Sequence, residues 1–114
     1  MSDFQRSERG DITLLAVRGS LDALSATRLK AEVVAIGDSG AKKVVVDLSA
    51  LSLLDSSGVG VLISLFKRIR AVGGQVLYAG VRSQPKEVFR LLRLDRSLDL
   101  SATVDEAIGK LGSA

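Results

Sequence analysis

Lys43-Val44-Val45-Val46-Asp47-Leu48 is the segment that most narrows the choice of fold. Three successive β-branched residues without polar alternation mark a strand that is apolar on both faces. Strands of that kind lie buried between layers in α/β sheets. Ser49 to Leu54 then leads into Asp55-Ser56-Ser57-Gly58-Val59-Gly60, where a helical pattern opens. In open α/β sheets ligands collect outside the carboxyl ends of the strands. The serine motif stands at that edge. The first turn of a helix carries unpartnered backbone N–H groups and a partial positive charge, so it stabilises an anion. Glycines there let another molecule approach closely.

The rest of the chain supports an α/β layout with a mixed sheet. Phe4 to Glu8 and Ile12 to Arg18 read as two strands of an antiparallel hairpin around Arg9-Gly10-Asp11, and Gly19 is expected to break the second. Asp22 is the natural N-cap of a helix whose Leu29, Val33 and Ile36 share one face, with Gly37 and Gly40 ending it. The helix from Val59 to Val72 is expected to bury Val59, Leu62, Ile63, Phe66 and Ile69, with Ser56 capping its start. Gln75 to Tyr78 is a further strand and Val81 to Gln84 a loop. Pro85 suits the first turn of the next helix, on which Phe89 is assigned to the core edge. Leu98 to Leu100 predicts a last short strand. Thr103 with Glu106 predicts a capping box before a terminal helix through Leu111, and Gly112 to Ala114 is expected to fray.

Composition removes several functions. There is no Cys and no His, which excludes a disulfide framework, a thiolate metal site and a Ser-His-Asp triad. Asp55 stands where a G-x-S-x-G elbow has its first glycine, and no lysine lies near the serines in sequence. Asp22, Asp47 and Asp55 could hold Mg²⁺ only if they converged. Ile63 occupies the last glycine position of a G-x-G-x-x-G pattern, and the Walker lysine is missing. No apolar run approaches the roughly 18 residues of a membrane span, and Met1 to Arg9 is no signal peptide. The expectation is a non-enzymatic, cytoplasmic protein without cofactor, metal or membrane insertion.

Charge is distributed unevenly. Lys67 to Arg96 holds eight basic residues against two acids, a local +6 within a chain of net charge +3. Lys86, Arg90 and Arg93 share one stripe of the helix after Pro85, a surface suited to an acidic partner. With aromatics at only 4%, direct nucleic-acid binding ranks low.

Asp55-Ser56-Ser57-Gly58-Val59-Gly60 resembles the signature of STAS domains, in particular the bacterial anti-sigma factor antagonists. The likeness extends through Val17-Arg18-Gly19-Ser20-Leu21-Asp22, Val44 to Ser49, Leu91 to Asp95 and Thr103 to Ala107. It implies a single STAS-like α/β domain over residues 1–114, ordered from about 4 to 111, with a mixed four- to five-stranded sheet and helices mostly on one side. It also implies a function: binding an anti-sigma factor that is a serine kinase of the histidine-kinase ATPase type, and thereby releasing a sigma factor. The kinase would phosphorylate Ser57 and end the binding, and a metal-dependent serine phosphatase would reset it. Asp22, Asp55, Ser56, Gly58 and Gly60 would surround the phosphoacceptor, while Lys86, Arg90 and Arg93 would meet the partner. The alternative is a non-cycling STAS scaffold or accessory subunit, in a signalling complex or a lipid transporter.

Overall fold

The structure is a computed structural model and describes residues 3–112. In chain order the elements are β1 (Asp3–Arg9), β2 (Ile12–Leu21), α1 (Ala23–Asp38), β3 (Lys43–Asp47), β4 (Leu51–Leu54), α2 (Ser56–Ala71), β5 (Gln75–Ala79), α3 (Ser83–Leu91), α4 (Leu94–Ser97), β6 (Asp99–Ser101) and α5 (Val104–Leu111). β1 and β2 form the expected antiparallel hairpin. The sheet then runs β1-β2-β3-β5-β6, all parallel after the hairpin, with β4 also parallel to β2. Six strands thus replace the expected four or five.

The extra strand explains why Gly19 does not end β2. Gly19 takes a left-handed φ of 75°, and the register shifts between Gly19 and Ser20. A residue without Cβ absorbs that irregularity cheaply. Beyond it Ser20 and Leu21 pair with Leu53 and Leu54. Ser49 to Leu54, read as a connection, is therefore largely β4.

The valine run is buried on both faces because the sheet has two cores. Val44 and Val46 face a large core with Leu15, Val17, Leu29, Val33, Leu62, Leu65, Tyr78 and Phe89. Val45 faces a smaller core with Ile12, Leu77, Ala79, Ala107 and Leu111. Among the described residues, helices α1 to α4 contribute to the first core and, of the helices, α5 alone to the second.

Several expectations within the helices are corrected by packing. α2 begins at Ser56, ahead of Val59, and α3 begins at Ser83, inside the expected loop. α2 packs against both α1 and β5, so Val61 and Leu65 are buried while Ile63 and Phe66 are half-buried at the margin. Phe89 is 1% exposed, a full core residue, with its ring edge-to-face to Tyr78 at 6.3 Å between centroids. α1 runs through Gly37 and ends at Asp38. α4 went unforeseen. Thr103 does cap α5, accepting from Glu106 N–H at 3.1 Å, but the Glu106 carboxylate pairs with Lys110. α5 ends at Leu111 as expected; residues 113 and 114 of the expected frayed tail lie outside the described residues.

Tyr78 ties the layers together. Its hydroxyl donates to the Leu62 carbonyl at 2.6 Å, and burial pushes the phenol's pKa up, so it stays a neutral donor. Tyr78→Phe should lower the unfolding free energy in urea titration by about 0.5–1.5 kcal/mol, the usual value of one net hydrogen bond.

Candidate functional site

The serine motif is positioned by two leucines beneath it. A Cβ on Gly58 would lie 2.7 Å from Leu21 Cγ and 2.8 Å from both Leu21 Cδ2 and Leu54 Cδ1. The helix therefore sits directly on the ends of β2 and β4. The Asp55 N–H donates to the Leu21 carbonyl at 3.2 Å, which fastens the chain to β2 one residue before the helix starts. Ser56 and Ser57, the first two residues of α2, are exposed on its N-terminal turn.

Capping differs from the expectation. Asp55, not Ser56, is the N-cap: its carboxylate accepts from the Gly58 N–H at 3.1 Å. Asp55 has the extended backbone a cap requires, whereas Ser56 already belongs to the helix. Ser56 and Ser57 are therefore both left without capping work. Gly60 is exposed and open, with no atom within 4 Å of its notional Cβ.

Asp22 caps α1 in a reciprocal arrangement. Its carboxylate accepts from Ser25 N–H at 3.0 Å and from Ser25 Oγ at 2.9 Å, while the Asp22 N–H donates to Ser25 Oγ at 3.0 Å. The Ser25 backbone N–H, then its hydroxyl, hold the Asp22 carboxyl below its ordinary pKa. Asp22 and Asp55 line one cleft of about 360 Å³ with Ser20, Leu21, Leu53, Leu54 and Gln84. Asp47 is elsewhere: its carboxylate accepts from Ser49 N–H and Oγ, and it lines clefts beside Val104. Among the described residues no three His, Cys, Asp or Glu side chains converge into a metal-binding group.

An apolar groove of about 250 Å³ lies between Leu54, Asp55, Ser56 and Val59 on one side and Val88 and Leu91 of α3, with Leu92 just after it, on the other. Leu91 is 65% and Leu92 55% exposed, and Leu53 across the motif is 53% exposed. Sequence reading missed these residues, because an apolar side chain on a short helix is ordinarily assigned to the core.

The basic stripe is broken. Lys86, Arg90 and Arg93 are all exposed, but α3 ends at Leu91 and Arg93 takes a left-handed φ of 58°, so helical spacing no longer relates it to Arg90. Arg90 donates to both Glu87 carboxylate oxygens, which lowers the Glu87 pKa and raises that of Arg90. Lys86 and Arg90 share a cleft with Glu87 and Asp95, so the local surface is mixed in sign.

Residues 3–107 match the STAS domain family. The chain belongs to that family. An anti-sigma factor antagonist of Bordetella bronchiseptica, BtrV, is 30% identical over 78 residues, covering 68% of this chain and 67% of the relative. The crystal structure of an anti-sigma factor antagonist from Thermotoga maritima is similar at a TM-score of 0.89 and 25% identity, over 95% of this chain and 93% of that one. The Bacillus cell fate determinant SpoIIAA in its phosphorylated form shares the fold, with a TM-score of 0.77 and 24% identity over 96% of this chain and 100% of that one. No helix among the described residues of this STAS domain is long and apolar enough to cross a membrane.

Two predictions follow from the caps. Asp55→Ala should cost about 0.5–2 kcal/mol of stability, whereas Ser56→Ala should stay within about 0.5 kcal/mol, both read from urea unfolding. Asp22 has a lowered folded pKa, so its contribution is present above the unfolded carboxylate range and is lost as pH falls through the folded value. The stability difference between the parent and Asp22→Asn should therefore be largest near neutral pH and shrink in acid.

Proposed function

We propose that this STAS domain is an anti-sigma factor antagonist: it binds an anti-sigma factor and so frees a sigma factor, and phosphorylation of Ser57 ends the binding. The observation that carries the reading is the presentation of Ser57. Its exposed side chain stands on the first turn of a helix seated on Leu21 and Leu54, in a motif whose Asp55 lines both the two-aspartate cleft and the apolar groove. The likeness to antagonists of Bordetella and Thermotoga supports the same reading.

The chemistry of such a switch is divided among three proteins. This chain supplies a hydroxyl; ATP and the base that accepts its proton belong to the anti-sigma factor, acting as a serine kinase. A metal-dependent serine phosphatase removes the phosphate. A partner interface of this kind needs apolar anchors, and Leu53, Leu91 and Leu92 supply them around the serine. Lys86, Arg90 and Arg93 act at the margin, on association rate rather than residence time.

Magnitudes favour charge over refolding as the mechanism. A phosphoserine adds about −1.5 to −2 charges. The helix N-terminus stabilises an exposed anion by roughly 0.3–1 kcal/mol, so α2 keeps its place. A partner carboxylate or nucleotide phosphate about 4 Å away is repelled by up to about 4 kcal/mol per unit charge pair at an effective dielectric near 20. Asp55 already places one negative charge in that turn, and the phosphate adds to it. Since about 1.4 kcal/mol is tenfold in affinity, binding falls by orders of magnitude while the fold is kept.

Incubation with ATP and each anti-sigma kinase of the same cell, followed by mass spectrometry, should locate the phosphate on Ser57. Ser57→Ala should abolish phosphorylation and keep partner affinity within a few-fold, whereas phosphate on Ser56 would overturn the assignment. Ser57→Asp, with one charge, should weaken binding less than phosphorylation does. Arg90→Glu with Arg93→Glu should slow association at low ionic strength, and the difference should vanish as salt rises, measured by stopped flow.

A further inference from the structure

The open edge of β4 is closed by a side chain. Leu54 is its last residue, and the Leu54 N–H donates to Gln84 Oε1 at 2.8 Å while Gln84 Nε2 donates to the Leu54 carbonyl at 3.1 Å. A carboxamide makes here the two hydrogen bonds that a neighbouring strand would make. The chain entering α2 is thus gripped twice in succession. Leu54 is held by Gln84 on α3, and Asp55 by the Leu21 carbonyl on β2. Leu54 is also one of the two side chains on which Gly58 rests.

The residue before Gln84 has an uncommon backbone conformation. Ser83 opens α3 at φ 57°, a left-handed conformation that residues other than glycine seldom adopt. Such strain persists where the surroundings over-determine it. Ser83 immediately precedes Gln84, whose carboxamide reaches the β4 edge, on a helix that buries Pro85 and Phe89.

We propose that Gln84 is a positioning residue for Ser57: its carboxamide sets the entry of α2 and ties the phosphoacceptor to the leucine-bearing surface of α3. This rests on Ser57 being the phosphoacceptor, but the clasp makes a prediction of its own. Gln84 touches no reacting atom and acts through Leu54. Phosphoryl transfer depends on in-line placement, and a displacement of about 1 Å can cost about a hundredfold in rate. The loss should therefore appear in kcat more than in KM.

The test uses Gln84→Ala, Gln84→Glu and, as a control in the opposite core, Ile12→Val. With the cognate kinase, Gln84→Ala should lower kcat for Ser57 phosphorylation about tenfold or more and change KM less than about threefold, while Ile12→Val leaves both unchanged. In amide exchange, Gln84→Ala should lose protection about tenfold or more at Leu54, with the amides of α5 unaffected. Near neutral pH Gln84→Glu keeps an acceptor for the Leu54 N–H but loses the donor to the Leu54 carbonyl, so its protection at Leu54 should lie between those of Gln84→Ala and the parent. In acid it should approach the parent, because the protonated carboxyl again offers one donor and one acceptor. If the parent is phosphorylated at Ser57 and Gln84→Ala is phosphorylated at an unchanged kcat, the proposal is wrong. If no kinase phosphorylates the parent, the functional reading fails by itself and the exchange data decide the clasp: unchanged protection at Leu54 in Gln84→Ala overturns it, and selective loss there, with Gln84→Glu retaining more protection than Gln84→Ala, sustains it.

Discussion

The contact of Gly58 with Leu21 and Leu54 governs the architecture around the serine. A helix can rest this closely on strand ends only where it lacks a Cβ, and only where two strands end side by side. The second condition requires β4, which requires the shift at Gly19 that lets β2 pair with a second parallel strand along its length. The glycine in the motif and the glycine in β2 thus serve one requirement, although 39 positions separate them in the sequence.

Rigidity beneath the serines is matched by simple electrostatics above them. Asp22 and Asp55 cap the helices that leave adjacent strand ends, so each carboxylate satisfies backbone donors and both line one cleft. A cap of this type satisfies one of the unpartnered backbone donors of a helix start and leaves the others. On the proposed reading, a phosphate on the neighbouring hydroxyl would add its charge to those of the two carboxylates. The exposed leucines provide attraction that does not depend on charge. Attraction from apolar contact and repulsion from a phosphate can therefore be set independently on one small surface.

The large core supports that surface from below. Tyr78 reaches from β5 to the Leu62 carbonyl of α2 and packs its ring against Phe89 of α3. The two helices that flank the apolar groove are thus referred to one buried side chain. The α5 face has its own smaller core and takes no part in the groove.

Much of this was legible in the chain itself. The valine run predicts a two-faced strand because burial on both sides leaves no room for polar alternation, and the hairpin, the Asp22 cap and the α5 boundaries follow from equally local chemistry. The serine motif was legible as a strand-to-helix junction for the same reason. What only the tertiary structure decided depends on residues far apart. Asp55 and Ser56 are equally good caps on paper, and the Asp55 N–H bond to the Leu21 carbonyl settled which of them stands outside the helix. The break in the basic stripe at Arg93, the burial of Phe89 and the exposure of Leu91 and Leu92 follow from how α3 is set down on the sheet. Gln84 had no local signature at all, because its partner lies 30 residues away and a side chain can complete a strand edge only once folding has brought that edge to it.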